Sequence, residues 1–273
     1  MIHLTAIIGS GAKIGTNVEI GPHSIIGGAV SIGDESIIGA NVVIEGEVIV
    51  GRENRIAHGT VIGGEPQDLS FSPRTRSRIE IGAKNVIREH CTIHRGTAEG
   101  SATKIGDENF LMAGAHVGHN CEIGNKVIIA NNCLLGGYVS VADGAFLGGG
   151  CVFHQFMRVG RLAITQGRSG FSKDIPPFLL AAERNNVLGL NAVGLRRAEF
   201  SSGQREEIKR AFKLLYLSGL NTRQALEKSK ETAWSDLGRE FFQFVADAIG
   251  KRGICALKRD SGRDGSPEPP AGD

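Results

Sequence analysis

His119, Gly137 and Gln155 follow one another at equal steps of eighteen residues. His116 and Asn120 flank the first of them, Tyr138 the second and His154 the third. An imidazole titrates near pH 6.5, so it can take up a proton at neutral pH. A glycine offers a backbone N–H with no side chain in front of it, the kind of donor that stabilises an oxyanion. A base and such a donor within a few ångströms of each other describe acyl transfer. No Ser or Cys accompanies them on the same patch. Direct attack by an acceptor hydroxyl or amine is therefore expected, rather than a covalent acyl-enzyme.

These residues meet only if the chain returns to the same place every eighteen positions, and the apolar pattern, with its period of six, allows this. An aliphatic residue occupies every sixth position from Ile8 to Ile62, from Ile81 to Ile93, and from Ile105 to Val159, with Phe153 the one aromatic. The position two before it is small or modest, as at Ala12, Ser24, Ala115 and Cys133, and the residue after it is usually Gly. A fixed short period of this kind marks a β-solenoid, whose units bury their apolar faces by stacking on their neighbours. Each unit reads as a short strand with a small and a large inward side chain. At the corner that follows, Gly tolerates unusual φ and close backbone approach. By resemblance to hexapeptide-repeat β-helices, three units make one coil, which implies roughly eight coils and a prism roughly 38 Å long at about 4.8 Å per coil. On this ruler His119 lies under Gly137 and Gly137 under Gln155. His116, Asn120, Tyr138 and His154 gather on the same outer patch. A lone outward His is ordinarily a solvated surface residue. Two in one unit, with a third in line two coils on, favour a site.

The period breaks twice. Gly64 to Arg78 is expected to loop out, whereas register is kept across the polar stretch Gly96–Lys104. His94 and Met112 replace corner glycines eighteen residues apart, and are expected to pack on one another or line a groove. Beyond Val159 the repeat fades, and Ile175-Pro176-Pro177 punctuates the chain. Helical spacing then predicts a helix capped by Ser202 and running to about Ser218, a second from Thr222 to Lys230, and a third from Ser235 to about Ile249. The expected plan is a solenoid over 1–185, an α-helical domain over 186–258 and a disordered tail over 259–273, rich in Gly, Pro and charge.

Composition narrows the function classes. A net charge of +2 carries no global nucleic-acid or membrane signature. No apolar run is long enough for a membrane helix. The repeat begins by Ile8, which leaves no room for a signal peptide, so a cytoplasmic protein is expected. Cys91, Cys121, Cys133 and Cys151 all fall on the small inward position and read as reduced core residues. No spacing suggests zinc, and no cofactor is implied.

The six-residue period resembles the hexapeptide repeat of left-handed parallel β-helices. Six strings narrow the resemblance: Gly64-Glu65-Pro66-Gln67-Asp68-Leu69, Ile93-His94-Arg95-Gly96-Thr97, Asn109-Phe110-Leu111-Met112, His116-Val117-Gly118-His119-Asn120-Cys121, Ala130-Asn131-Asn132 and His154-Gln155-Phe156. In this order they resemble the UDP-N-acetylglucosamine O-acyltransferase family, which opens lipid A synthesis. The likeness runs from about residue 5 to about 258. It implies a homotrimer with sites between adjacent prisms, moving an (R)-3-hydroxyacyl chain from acyl carrier protein to the 3-hydroxyl of UDP-GlcNAc. By resemblance, His119 is the general base and Gly137 the oxyanion donor. Gln67, Asp68, His116, Asn120, Tyr138, His154 and Gln155 would bind the sugar nucleotide, with Asn191, Arg196 and Arg197 near its phosphates. Met112, Ile164 and Gly167 would line the acyl groove, the small Gly167 fitting a long chain. Apart from the resemblance, Arg205, Lys209, Arg210 and Lys213 lie at near-helical spacing on the first long helix and read either as a solvated face or as a docking site for the acidic carrier.

The sequence departs from the family twice, with Asn120 where Asp is common and Tyr138 where His is common. Both bear on the acceptor, so a related hexapeptide N-acyltransferase acting on a 3-amino UDP-sugar is the alternative. A non-catalytic hexapeptide scaffold would not need His119, Gly137 and Gln155 in line. A γ-type carbonic anhydrase would need a third His spaced to bind zinc.

Overall fold

The structure is a computed structural model and describes residues 1–258. The expected disordered tail, 259–273, lies outside the described residues. The chain winds as a left-handed parallel β-helix of triangular section. Its first face is a nine-stranded sheet from Ile7–Ile8 to Gly170–Phe171, its second an eight-stranded sheet from Lys13–Ile14 to Arg158–Val159. The third is an eleven-stranded sheet that starts at Glu19–Ile20. Strands pair with the coil above in register, for example His116 with Leu134 and Leu134 with Val152.

The stacked inward residues form one core. Ile44, Ile62, Ile93, Val117, Leu135 and Leu147 are fully buried. Burial of one such side chain contributes about 1.5–3 kcal/mol, so the six-residue period sets the shape of the chain. Buried asparagines form a ladder from coil to coil, although the Asn109 Nδ2 has no hydrogen-bond partner among the described residues. Asn54 Oδ1 accepts the Asn85 N–H at 2.9 Å, Asn85 Oδ1 the Asn109 N–H at 2.9 Å, and Asn109 Oδ1 the Val127 N–H at 2.7 Å. The cysteines are free and buried, and burial pushes the Cys121 thiol up to about 12.

The corner glycines serve close approach rather than unusual φ. A Cβ on Gly33 would meet the Gly51 carbonyl carbon at 2.6 Å, and one on Gly51 the Gly82 oxygen at 2.6 Å. The left-handed turn falls two residues later, on Asn17, Glu35, Asn120, Tyr138 and Phe156, with φ between 54° and 66° at most such corners.

Both breaks of the period are insertions that sit beside each other. Residues 65–77 loop out between the strands Val61–Gly64 and Arg78–Ile81. The second break keeps register by adding a whole unit. Ile93 pairs with Val117 and Ile81 with Ile105, a step of twenty-four. The surplus unit, 96–101, bulges from the edge between the first and second faces. This corrects the expected pairing of His94 with Met112. In the lengthened coil His94 comes level with Gly118 and packs on His116, while Met112 ends a strand of the third face.

The repeat also runs further than its fading signal suggests, through Ile164–Thr165 and Gly170–Phe171 to Leu179–Ala182. There it closes in an antiparallel hairpin with Asn186–Leu190. Four helices follow: α1 (Ala192–Arg197), α2 (Ser202–Tyr216), α3 (Thr222–Ser229) and α4 (Asp236–Ala248). Ser201, not Ser202, caps α2, in a reciprocal capping box with Gln204. Ile208, Phe212, Phe241 and Val245 form the core of the helical region. Arg158 fastens it to the prism, bonding Asp174 at 2.8 Å and the Phe244 carbonyl of α4 at 3.0 Å.

Candidate active site

The edge between the first and second faces carries the site. Strand His116–Val117 ends there, and the turn that follows presents His119 and Asn120. One coil on, strand Leu134–Leu135 presents Gly137 and Tyr138, and Val152–Phe153 presents His154 and Gln155. Their stacking follows from unbroken register, with Tyr138 N–H on the His119 carbonyl and Phe156 N–H on the Gly137 carbonyl, both at 2.9 Å. A cavity of about 340 Å³ opens here, lined among others by Gln67, His94, His116, His119, Gly137, His154 and Gln155. The spacing therefore placed seven candidate residues correctly relative to one another. Gln67 arrives from the inserted loop.

The hydrogen bonds define which nitrogen of His119 is free. The Thr97 N–H, a donor only, lies 2.9 Å from Asn120 Oδ1, so the amide presents its oxygen there. The same oxygen is 3.1 Å from His119 Nδ1. Nδ1 must then carry the proton, which leaves the Nε2 lone pair to act as base. Asn120 thus orients the ring as an Asp would, but without a charge to stabilise the imidazolium.

Gly137 offers the second element such chemistry needs, a bare backbone N–H. The N–H two residues beyond an inward aliphatic position finds no strand partner. Where the second face turns into the third, an Asp or Asn one coil on caps it. Asp34 caps Thr16, Asp107 caps Ala83, Asn125 caps Asp107 and Asp143 caps Asn125. At Gly137, no such acceptor exists among the described residues, and the N–H stays available.

The imidazoles of His94 and His116 are held towards the neutral form. Burial pushes His94 down to about 4, with His116 and His119 adding repulsion. His116 is lowered by burial and by His119, and its Nδ1 lies 2.7 Å from Thr92 Oγ1. Asp68 is half-buried and remains ionised. Its carboxyl is held low by the Ser70 hydroxyl at 2.7 Å, the Ser70 N–H at 2.9 Å and the charge of His119. His154 Nδ1 lies 3.2 Å from the Gln155 carbonyl.

Six candidate residues lie elsewhere on the chain. Met112, Ile164 and Gly167 belong to the third face and its corner. Asn191 caps α1, bonding the Gly194 N–H at 2.9 Å and the Leu162 carbonyl at 2.8 Å. Arg196 and Arg197 end that helix, exposed. No single chain gathers these six around His119. Sequence reasoning left His94 either packed on Met112 or lining a groove, and did not join it to the His119 patch, because an added unit displaces it from the eighteen-residue ruler. Among the described residues no group of three His, Cys, Asp or Glu is placed to hold a metal ion.

Residues 174–255 match the second-domain model of UDP-N-acetylglucosamine O-acyltransferase, and residues 29–64 and 102–137 match the bacterial transferase hexapeptide model. The chain is 47% identical to the acyl-(acyl-carrier-protein)–UDP-N-acetylglucosamine O-acyltransferase of Paraburkholderia phymatum, covering 85% of this chain and 89% of that one. It is 43% identical to its namesake from Thiobacillus denitrificans over 93% and 98% of the two chains. The UDP-N-acetylglucosamine acyltransferase of Francisella novicida superposes with a TM-score of 0.90 at 35% identity, covering 96% of this chain and 95% of that one. Sequence, fold and site geometry agree that the chain belongs to the acyl-(acyl-carrier-protein)–UDP-N-acetylglucosamine O-acyltransferase family.

Proposed function

We propose that the protein transfers an (R)-3-hydroxyacyl chain from acyl carrier protein to the 3-hydroxyl of UDP-N-acetylglucosamine, the opening step of lipid A synthesis. The observation that carries this reading is the His119 ring, with Nδ1 engaged by Asn120 Oδ1 and the ring set directly against Gly137. His119 Nε2 takes the proton of the sugar 3-hydroxyl as that oxygen attacks the thioester carbonyl. The Gly137 N–H stabilises the resulting oxyanion. Collapse breaks the carbon–sulfur bond, and the imidazolium returns the proton to the departing thiolate. Gln67, Asp68, His116, His154 and Gln155 would hold the sugar nucleotide.

The site is read as completed by a second copy of the chain in a homotrimer. Met112, Ile164, Gly167, Asn191, Arg196 and Arg197 surround the third face, while the base stands on the opposite edge. The first face exposes outward Ile7, Ile25, Leu134 and Val152, apolar surface suited to cover. In such a ring a neighbour's third face would supply the acyl groove and the phosphate contacts. No helix among the described residues is long and apolar enough to cross a membrane. With its reduced, buried thiols, the protein is read as acting in the cytoplasm.

One observation favours a second acceptor. The neutral Asn120 gives the imidazolium less support than a carboxylate would, and an amine needs less help from a base than a hydroxyl does. A 3-amino UDP-sugar is therefore the rival acceptor. Mass spectrometry of products from acyl-carrier-protein donors, with UDP-GlcNAc and its 3-amino analogue, decides between them. Turnover on both sugars should fall by about 10²–10⁴ in His119→Ala. Near-normal turnover in that variant removes the base assignment, and a monomeric active enzyme removes the shared site.

A further inference from the structure

The inserted unit 96–101 contains no inward aliphatic residue, so core packing does not explain it. Thr97 faces the site from this bulge. Its N–H and its Oγ1 both reach Asn120 Oδ1, at 2.9 Å and 3.0 Å. Its Oγ1 is also 2.9 Å from the Tyr138 hydroxyl. One proton order uses every contact: Tyr138 O–H donates to Thr97 Oγ1, Thr97 O–H to Asn120 Oδ1, and His119 Nδ1–H to that same oxygen.

The surroundings fix this chain of bonds at both ends. The Asn120 N–H bonds Thr103 Oγ1 at 2.8 Å, and Thr103 in turn bonds the buried His94 carbonyl at 2.7 Å. Tyr138 stacks on Phe156 with ring centroids 4.7 Å apart. Both aromatics sit in left-handed backbone, φ 60° and 66°, a conformation that bulky residues rarely adopt. The bulge is itself held by the Gly100 N–H on the Arg76 carbonyl at 2.7 Å and by Ser77 Oγ on the Gly96 carbonyl at 2.6 Å.

We propose that Thr97 is a positioning residue for the acyl transfer: it locks the Asn120 carbonyl against His119 Nδ1, with Tyr138 as a brace, and so holds the imidazole in the tautomer that presents Nε2. This rests on the reading of His119 as the base. An Asp carries two oxygens and a charge to hold an imidazole, whereas Asn has one neutral oxygen that would be free to rotate away. Thr97 supplies the restraint that the charge would otherwise give.

The test compares Thr97→Ala, Thr97→Ser and His119→Gln in the full chain, by steady-state kinetics and by ¹⁵N NMR of labelled histidine. The His119 signals are identified by their loss in His119→Gln. Thr97→Ala should lower kcat about 10–100-fold, with KM for UDP-GlcNAc within about twofold. Its His119 signals should change from one Nδ1–H tautomer to an exchanging pair. Thr97→Ser, which keeps the hydroxyl, should recover kcat to within about threefold of the parent. An unchanged tautomer in Thr97→Ala, or a loss expressed wholly in KM, overturns the proposal. Should Thr97→Ala fail to fold, Tyr138→Phe takes its place with the same two readouts and the same two overturning results. Full turnover in His119→Gln would defeat the base reading, yet the tautomer measurement would still decide what Thr97 does.

Discussion

The imidazole of His119 occupies the space that a side chain on Gly137 would need. A Cβ built on Gly137 overlaps His119 Cε1 and Nε2, and Gly137 does not itself adopt a left-handed φ. Glycine is required there by the ring beneath it, not by its own backbone. Gly137→Ala should therefore displace the base while leaving the coil intact. The expected result is a fall in kcat of roughly 10²–10³ with Tm nearly unchanged. Retained turnover in a folded Gly137→Ala variant would mean that the base and the bare amide do not act together.

The acyl groove gives a second prediction, on donor length. Each buried CH₂ contributes about 0.8 kcal/mol, close to fourfold in selectivity per methylene until the groove ends. Gly167 is exposed on a single chain, and a Cβ there meets the Gly149 carbonyl oxygen at 3.1 Å, a contact that a small shift relieves. Gly167→Met should fold and should move the preference to a shorter 3-hydroxyacyl donor. Relative kcat/KM across donors of increasing length is the measurement, and an unchanged length profile places the end of the groove elsewhere.

A third prediction concerns carrier docking, for which two of the four basic residues on α2 are available. On α2, Arg205 bonds the Phe200 carbonyl and Arg210 lies over Trp234 at 5.5 Å, so both are occupied locally. Lys209 makes only an exposed contact with Glu206 at 3.6 Å, and Lys213 is exposed. Reversing Lys209 and Lys213 to Glu should raise KM for the acyl carrier about tenfold and leave KM for the sugar nucleotide alone. Equal changes in both constants would take α2 out of the docking surface.

A fourth prediction concerns acid stability. His94 is depressed to about 4 by burial, whereas an unfolded chain protonates its histidines near pH 6.5. Between those values the unfolded state binds the extra proton, so stability is complete above about pH 6.5 and declines as pH falls towards 4. His94→Gln removes this titration. Its Tm should lose less than that of the parent between pH 7 and pH 4.5, and parallel Tm curves would show that His94 does not titrate in this range.

How much of this was legible in the sequence follows from the repeat. His119, Gly137 and Gln155 lie in coils of regular length, so counting residues was enough to stack them. His94 was misplaced because the unit 96–101 lengthens its coil without disturbing the six-residue pattern. Thr97, noted only as part of a family string, was given no role for the same reason, since a unit with no aliphatic residue reads as a polar loop. Helix α2 showed itself by Ile208, Ala211, Phe212 and Leu215. Helix α1, six residues long with Leu195 alone buried, offers no periodicity to detect. The hairpin of Leu179–Ala182 and Asn186–Leu190 was hidden because it extends the third face after the period has gone. Spacing could say nothing of Met112, Ile164, Gly167, Asn191, Arg196 and Arg197 relative to the base, because a single chain does not bring them to it.

The uncapped amide at Gly137 has a further consequence. At the edge between the second and third faces, an Asp or Asn of the next turn covers this donor at Thr16, Ala83, Asp107 and Asn125, whereas on the edge that carries His119 the amides of Gly28, Gly46, Gly137 and Gln155 are all left bare. On the reading of His119 as the base, what singles out Gly137 is the imidazole set beneath it rather than the bare amide alone, since its edge offers several. An imidazole could be set by design beneath other bare amides of that edge, with the spacing between base and donor already set by the stacking of the strands.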